Sequence, residues 1–166
     1  MDLRDNFTME KFPATQAIRT LKKYRVNFDL CPYKYEDKGG TKTAAKELNL
    51  DEHLVIKTLV LETERGDPFL LLIHGDKDVS TKALARLLGV KRVNPSDPDV
   101  AHKHTGYLVG GISPFGTKKP LKIYIEESVM YLPKIYINAG RRGLLAKMSP
   151  ENLDRTLNPT LVNVAI

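Results

Sequence analysis

A chain of 166 residues, 42% hydrophobic and 28% charged, has the size and composition of one compact domain. It is too short for two domains of ordinary size and too apolar for a disordered chain. The formal net charge of +6 favours a polyanionic partner such as nucleic acid over an acidic metabolite, although a solvated basic surface explains the same surplus.

We expect a cytosolic protein, because the sequence shows no recognisable targeting signal and contains a single cysteine. No apolar run approaches the ~20 residues that span a bilayer, and residues 1–5 lack the basic and apolar regions of a signal peptide. Cys31 is the only cysteine, which excludes an intramolecular disulfide and a cysteine-based zinc cluster. We therefore expect no membrane contact, and we expect Cys31 to be a buried apolar side chain rather than a catalytic thiol.

The first half of the chain predicts helices and strands in irregular order. Residues 1–12 are expected to form an N-terminal tail. The next segment predicts a helix that starts at Pro13 and has apolar positions at Ala17, Ile18, Leu21 and Tyr24. A short edge strand within 26–35 and a second helix over 41–49 follow. Residues 55–61 and 69–73 predict a hairpin across the turn at 65–68.

The second half begins with a helix that Ser80 caps and Gly89 ends, with apolar positions at Ala83, Leu84, Leu87 and Leu88. After a proline-rich turn at 94–98, the pattern predicts a short helix, a strand at 107–109, a loop at 110–120 and strands at 121–125 and 134–137. Ser149 is the predicted N-cap of a last helix through Leu157, and 161–166 a final strand. The interleaving favours one α/β or α+β domain over residues 13–166, with a mixed sheet surrounded by helices.

Lys57 interrupts the apolar run at 55–61. A charged side chain in such a strand must reach solvent or be paired in a cleft. The strand can simply have one wet face to which Lys57 points, since lysine often extends its ammonium to water. In a cleft, the same ammonium can bind an anion or polarise a carbonyl.

Two further segments carry residues suited to ligand binding. Glycines within 106–116 let backbone N–H groups approach a ligand closely, as in an oxyanion hole, although a plain tight turn has the same composition. The segment lacks the spacing of a P-loop or a dinucleotide fingerprint. The adjacent Arg141 and Arg142 can contact phosphate or remain solvated in a turn.

Metal and nucleophile chemistry find little support in the sequence. His102 and His104 have no obvious third ligand, so we expect no metal and no cofactor. No serine, histidine and aspartate occur in the context of a nucleophile elbow. A protein nucleophile is therefore not evident.

Three segments, 55–59, 106–116 and 136–143, together resemble the YbaK family of the bacterial prolyl-tRNA editing superfamily, in the same order and at similar spacing. The resemblance extends from about residue 13 to residue 162. It implies a mixed, mostly antiparallel sheet of the prolyl-tRNA editing type. It also implies a cytosolic enzyme that clears mischarged tRNA in trans, typically Cys-tRNA(Pro), in a ternary complex with prolyl-tRNA synthetase. In the Cys-specific branch the thiol of the substrate attacks its own ester, so the protein chiefly positions groups and stabilises charge.

The resemblance also assigns residues. Lys57 matches the signature lysine and would orient the tRNA 3′ end or the aminoacyl ester, while Gly110 starts a loop whose amides would face the ester carbonyl. Tyr33 matches a pocket tyrosine, with Tyr35 as the alternative. The remaining residues assigned to substrate binding are Thr58, Gly111, Ile112, Ser113, Pro114, Asn138 and Arg141.

Two positions depart from the pattern of the Cys-specific relatives. Asn138 stands where they often have serine, and Leu145 stands where they often have an acidic residue. Leucine cannot take up a proton, so any acidic role in activating a thiol is absent or moved. Three alternatives therefore stay open: a deacylase that uses water on another amino acid, a non-catalytic tRNA or synthetase adaptor, and a binding protein for an anionic small molecule.

Overall fold

The computed structural model describes residues 14–166, so Pro13 and the predicted tail at 1–12 lie outside the described residues. The described helices, numbered in chain order, are α1 Gln16–Lys23, α2 Gly40–Leu48, α3 Thr81–Leu88, α4 Pro98–Thr105 and α5 Glu151–Leu157, with short 3-10 helices at Glu52–Leu54 and Glu127–Tyr131. The strands are β1 Asp29–Pro32, β2 Val55–Thr63, β3 Pro68–His74, β4 Val93–Pro95, β5 Lys122–Glu126, β6 Ile135–Arg141, β7 Leu144–Met148 and β8 Thr160–Val162.

Within residues 14–166 the strands form one mixed sheet in the order β1, β7, β6, β2, β3, β5, β8, with β4 paired to β2. The pairs β1 with β7, β7 with β6, β2 with β3 and β2 with β4 are antiparallel. The pairs β2 with β6, β3 with β5 and β5 with β8 are parallel. This confirms the predicted mixed, mostly antiparallel sheet and the hairpin of β2 with β3.

Helices cover both faces of this sheet. Alternate residues of β3 enter two separate cores, because successive side chains of a strand point to opposite faces. Leu70 and Leu72 pack with Ile18 and Leu21 of α1, whereas Leu71 packs with residues of α3 and β5. Burial of each such side chain contributes about 1.5–3 kcal/mol. The centre of the sheet is therefore a rigid platform for the loops at its edges.

The helix ends follow the predicted chemistry in α3 but not in α5. The Ser80 side chain accepts a hydrogen bond from the amide of Ala83, and Gly89 ends α3 in the left-handed conformation, as predicted. In α5, however, Pro150 is the N-cap, and the Ser149 hydroxyl bonds the Glu151 side chain instead of an amide. The prediction of Ser149 as the N-cap was therefore wrong by one residue.

Several local predictions differ from the structure. Residues 107–109 form a loop rather than a strand, and the Tyr107 hydroxyl donates to the backbone oxygen of Phe115 within the same loop. The proline-rich turn contains strand β4, whose partner β2 lies about 30 residues earlier and leaves no local signal. Leu87 is 59% exposed, so it lies on the outer face of α3. Cys31 is only half-buried, and burial together with the charge of Asp29 raises the pKa of its thiol, which disfavours the thiolate.

The described residues bear on the membrane and metal expectations. Between residues 14 and 166, every helix is too short or too polar to cross a membrane. The same stretch contains no group of three His, Cys, Asp or Glu residues placed to hold a metal ion.

A buried histidine lies at the end of β3. His74 is 1% exposed, and its ring stacks on that of His53 with the centroids 3.7 Å apart. Its Nδ1 lies 2.9 Å from the backbone oxygen of His53, which requires a proton on Nδ1, and its Nε2 accepts from the hydroxyl of Ser128 at 2.7 Å. Burial, together with the neighbouring charge of His53, lowers the pKa of His74 despite the opposing effects of the hydrogen bond to the His53 carbonyl and of the charges of Asp76 and Glu126.

We expect the free energy of unfolding to fall as the pH drops through about 6.5, the ordinary pKa of histidine, and to level off below the lowered pKa of His74. In that window the unfolded chain binds a proton that folded His74 does not. Denaturant unfolding between pH 8 and 5 measures this effect. The pH dependence should shrink in His74→Asn, because the asparagine side chain takes up no proton. An identical pH dependence in wild type and His74→Asn would contradict the assignment.

Candidate active site

A cavity opens where β2 lacks a partner strand on one edge. Along its other edge β2 pairs with β3 from residue 56 to residue 62. The remaining edge pairs with β6 only at Val55 and Ile56, and with β4 only from Leu61 to Thr63. The cavity of about 410 Å³ lies at the gap, and residues 57–59 form part of its wall.

The cavity combines an apolar interior with a basic surplus. Its lining residues are Tyr33, Tyr35, Asp37, Lys38, Gly40, Thr41, Ala44, Val55, Ile56, Lys57, Thr58, Leu59, Val109, Gly110, Ile112, Asn138, Arg142 and Leu145. Three of these side chains are basic and one is acidic, which favours an anionic ligand. Thr58 Oγ1 is buried and has no hydrogen-bond partner within residues 14–166.

The glycine-rich loop at 106–116 is anchored at its base. The buried Tyr107 hydroxyl donates to the backbone oxygen of Phe115, and burial raises the pKa of Tyr107 to about 12. The Ser113 hydroxyl accepts from the amide of Phe115 at 3.2 Å. Gly116 has a φ of +65° and lies so close to α1 that a Cβ would come 2.7 Å from the backbone oxygen of Gln16. These contacts hold both ends of the loop and leave its tip at the cavity.

The tip of the loop presents backbone to the cavity. Gly110 has a φ of +93°, and an added Cβ would meet the Tyr35 hydroxyl at 2.7 Å. The amide of Gly111 already donates to Leu108, and Pro114 has no N–H. The amides of Gly110 and Ile112 are therefore the cavity-side candidates for binding a carbonyl oxygen.

Asn138 connects this loop to a bulge in β6. The register of β6 against β7 shifts between Asn138 and Arg141. Asn138 Oδ1 accepts from the amides of Gly140 at 2.7 Å and Arg141 at 3.1 Å, and its Nδ2 donates to the backbone oxygen of Gly110 at 3.1 Å. One side chain thus closes the bulge and ties the loop tip to the sheet.

Replacing Asn138 with alanine should destabilise the protein by about 1–2 kcal/mol and speed amide hydrogen exchange at Gly140 and Arg141, because these amides lose their acceptor. Asn138→Asp keeps the acceptor oxygen, loses the donor to the Gly110 carbonyl and places a negative charge beside that carbonyl. Exchange measured by NMR should therefore stay slow at Gly140 and Arg141 in the aspartate variant. Fast exchange at both amides in Asn138→Asp would contradict this division of roles.

Lys57 lies at the gap in the sheet, with a half-buried side chain. Its ammonium donates to the backbone oxygen of Lys77, in the turn after β3. Two hydrogen bonds fix the turn that contains Lys77. The amide of Gly75 donates to the backbone oxygen of Val55, and the Thr41 hydroxyl donates to the Gly75 carbonyl. The ammonium is thus held at the cavity wall by an uncharged acceptor, which leaves its charge available to a ligand.

The structure brings together six of the ten residues that the sequence assigned to the site. Those lining the cavity are Lys57, Gly110, Tyr33, Thr58, Ile112 and Asn138. Gly111, Ser113 and Pro114 are buried in the loop and are not part of the lining. Arg141 is exposed at the end of β6 and also lies outside the lining.

The lining also contains residues that the sequence did not assign. Tyr35 lines the cavity together with Tyr33, so both alternatives for the pocket tyrosine are present. Burial raises the pKa of Tyr33, which keeps its hydroxyl protonated. Thr41 follows the Gly39 and Gly40 pair, a signal of close backbone approach that could have identified it. Arg142, rather than Arg141, reaches the cavity.

The chain is similar to a known domain family and to several relatives. Residues 36–156 match the aminoacyl-tRNA editing domain family. A protein of Enterococcus faecalis, EbsC, provisionally named a Cys-tRNA(Pro)/Cys-tRNA(Cys) deacylase, is 29% identical over 138 residues, which cover 82% of this chain and 84% of the relative. A proline-tRNA ligase of Brachyspira hyodysenteriae is 30% identical over 113 residues, which cover 68% of this chain but only 19% of the ligase.

Solved structures show the same fold. A crystal structure described as a provisional trans-editing enzyme for prolyl-tRNA synthetase aligns with a TM-score of 0.80 at 20% identity, over 93% of this chain and 99% of that one. A crystal structure of a hypothetical protein aligns with a TM-score of 0.83 at 22% identity, over 92% of this chain and all of that one. The family match covers well over half of the sequence. The chain therefore belongs to the aminoacyl-tRNA editing domain family, of the YbaK type.

Proposed function

We propose that the protein removes cysteine from Cys-tRNA(Pro) in the cavity between Lys57 and Gly110. The observation that carries the proposal is the juxtaposition of a lysine ammonium, a backbone loop tip and an apolar wall around one space. The wall includes Ala44, Val55 and Leu145, which pack in one cluster, and Leu145 is 4% exposed. Such a wall suits a small uncharged side chain. The provisional name of the Enterococcus relative points to the same substrate.

The proposed reaction needs no protein nucleophile. The thiol sulfur of the cysteinyl group attacks its own ester carbonyl, the bond from that carbon to the ribose oxygen breaks, and the thiol proton passes to the ribose oxygen. The products are a cyclic thiolactone and tRNA with a free 3′ end. The protein contributes orientation, and it stabilises the negative charge that develops on the carbonyl oxygen.

Lys57 and the loop amides take complementary roles in this proposal. The Lys57 ammonium orients the ester and balances the developing charge, while the amide of Gly110 donates to the carbonyl oxygen. Asn138 holds the Gly110 carbonyl, which fixes the direction of the loop backbone. Thr58 Oγ1, which has no partner among residues 14–166, lies beside Lys57 and lines the pocket.

Leu145 favours a second candidate reaction. With an apolar side chain at this position, no carboxylate stands there to take the proton of the thiol. A water molecule can then attack the ester of another small amino acid, such as alanine. Size selection alone discriminates such close analogues poorly, since one methylene is worth about 1–3 kcal/mol.

The two candidate reactions can be distinguished by the substrate that is consumed and by the product that is formed. Purified protein is incubated with Cys-tRNA(Pro), Ala-tRNA(Pro) and Pro-tRNA(Pro) in water enriched in ¹⁸O. Thiolactone formation predicts loss of cysteine alone, with ¹⁸O entering only through later opening of the trapped thiolactone. Rapid loss of alanine with ¹⁸O in its carboxylate would select the water reaction. Stability of all three substrates would contradict deacylation and favour the adaptor.

Selection among tRNAs is proposed to come from a partner. A net charge of +6 on 166 residues provides only modest, salt-sensitive attraction to RNA. We infer that the protein acts in the cytosol in a ternary complex of tRNA, prolyl-tRNA synthetase and this domain. Sedimentation of the three components together, compared with each pair, tests the complex. Absence of a species containing all three would contradict it.

A further inference from the structure

Arg142 is held in one orientation at the cavity. Its Nε donates to the backbone oxygen of Val109 at 2.9 Å, and its Cζ lies 5.2 Å from the centre of the Tyr35 ring. The cation–π contact with Tyr35 and the hydrogen bond at Nε leave the two terminal nitrogens of the planar guanidinium to donate elsewhere. The residue is exposed and lines the cavity, so those nitrogens are accessible to a ligand.

This arrangement suits phosphate better than the other groups of an aminoacyl-tRNA. The aminoacyl end carries an amine, which is repelled by a guanidinium, and its carboxyl is esterified and uncharged. The anionic groups of the substrate are its phosphates. A planar guanidinium matches two phosphate oxygens at once, whereas the lysine at position 38, also in the lining, is a mobile point charge.

The neighbouring surface fits a nucleoside. Leu108 and Val109 are 55% and 45% exposed, two adjacent apolar side chains at the tip of the glycine-rich loop. Val109 also lines the cavity and accepts the hydrogen bond from Arg142. A base that packs on this apolar surface would lie next to Arg142, which donates to Val109.

We propose that Arg142, oriented by Tyr35 and Val109, forms a phosphodiester subsite at the cavity rim that binds the phosphate 5′ of the terminal nucleoside of aminoacyl-tRNA. The subsite rests on the proposed function, since it presumes that the aminoacyl ester of that nucleoside enters the cavity. It extends that function from the reacting ester to the first anionic group of the RNA. It also separates the roles of the two adjacent arginines.

Kinetics on two substrates tests the subsite. Arg142→Ala should raise KM for Cys-tRNA(Pro) by about 10- to 100-fold with little change in kcat, because one charge-assisted contact to the bound substrate is lost. With cysteinyl-adenosine, which lacks the phosphate, the variant should match the wild type. Arg142→Lys should recover only part of the loss. Arg86→Ala, an exposed arginine on α3 outside the cavity lining, controls for net charge.

A binding measurement separates this proposal from the proposed function. The probe is an RNA hairpin that carries no amino acid and ends in the tRNA(Pro) 3′ sequence. It is made with either a normal phosphodiester or an electrically neutral methylphosphonate at the last linkage. Wild type should bind the methylphosphonate RNA about 10-fold more weakly, and Arg142→Ala should bind both RNAs equally. The subsite would be overturned if Arg142→Ala raised KM equally for Cys-tRNA(Pro) and cysteinyl-adenosine. It would also be overturned if the wild type bound the phosphodiester RNA no more tightly than the methylphosphonate RNA. If the protein does not deacylate Cys-tRNA(Pro) but still prefers the phosphodiester RNA, only the proposed function is overturned.

Discussion

Replacing Lys57 with alanine is expected to lower kcat/KM for Cys-tRNA(Pro) by about 100- to 1,000-fold, the loss typical of removing one preorganised group that stabilises developing charge. The side chain lies at the gap in the β2 edge and its ammonium is held by the Lys77 carbonyl. Alanine removes the ammonium and leaves the strand backbone in place. Single-turnover deacylation over a range of enzyme concentrations measures kcat/KM, and its plateau at saturating enzyme gives the rate of the chemical step.

Two variants serve as controls for the predicted effect of Lys57→Ala. Lys57→Arg keeps the charge on a longer, planar group and should retain an intermediate activity. Lys122→Ala removes a lysine from another strand, β5, where the side chain is exposed and outside the cavity lining, and should leave kcat/KM unchanged. Full activity in a folded Lys57→Ala protein would remove Lys57 from the mechanism.

Replacing Gly110 with alanine should lower kcat/KM by about 100-fold, since a displacement of about 1 Å in a positioning group costs that much. The φ of +93° disfavours any L side chain, and the new Cβ would lie 2.7 Å from the Tyr35 hydroxyl. Either the loop tip or the Tyr35 ring must therefore shift, and both line the cavity. A shift of the loop moves its amides and the carbonyl held by Asn138.

The turn of the β2 and β3 hairpin supplies a matched control. Gly66 has a φ of +78° with nothing within 4 Å of an added Cβ, so Gly66→Ala imposes similar backbone strain far from the cavity lining. Both variants should lose about 1–2 kcal/mol of stability, and only Gly110→Ala should lose activity. Equal activity losses would show that strain acts through global stability rather than through the loop.

The regular elements followed from local chemistry. Helix α3 was predictable because the cap at Ser80 and the left-handed end at Gly89 are encoded within the helix itself. The hairpin of β2 and β3 was predictable from its turn. Strand β4 was not, because its pairing with Leu61 to Thr63 is a tertiary contact. The apolar residues at 107–109 were predicted as a strand, yet the Tyr107 hydroxyl is bound to Phe115 within a loop.

The sequence predicted the types of residue in the candidate site better than it predicted which side chains point into the cavity. Lys57 and Gly110 stood out as a charge in an apolar strand and a glycine in a loop, and both line the cavity. The choice between Arg141 and Arg142 depends on the bulge in β6, which changes the register against β7 after Asn138. A bulge closed by one side chain leaves no periodic signal, so the sequence assigned Arg141 where the cavity receives Arg142.

The most direct test of the central claim is the half-life of Cys-tRNA(Pro) at pH 7 with a catalytic amount of the protein, compared with buffer alone. We predict that the wild-type protein shortens the half-life at least 100-fold and that Lys57→Ala restores it to nearly the buffer value. A half-life equal to that in buffer, with folded wild-type protein present, would contradict the account.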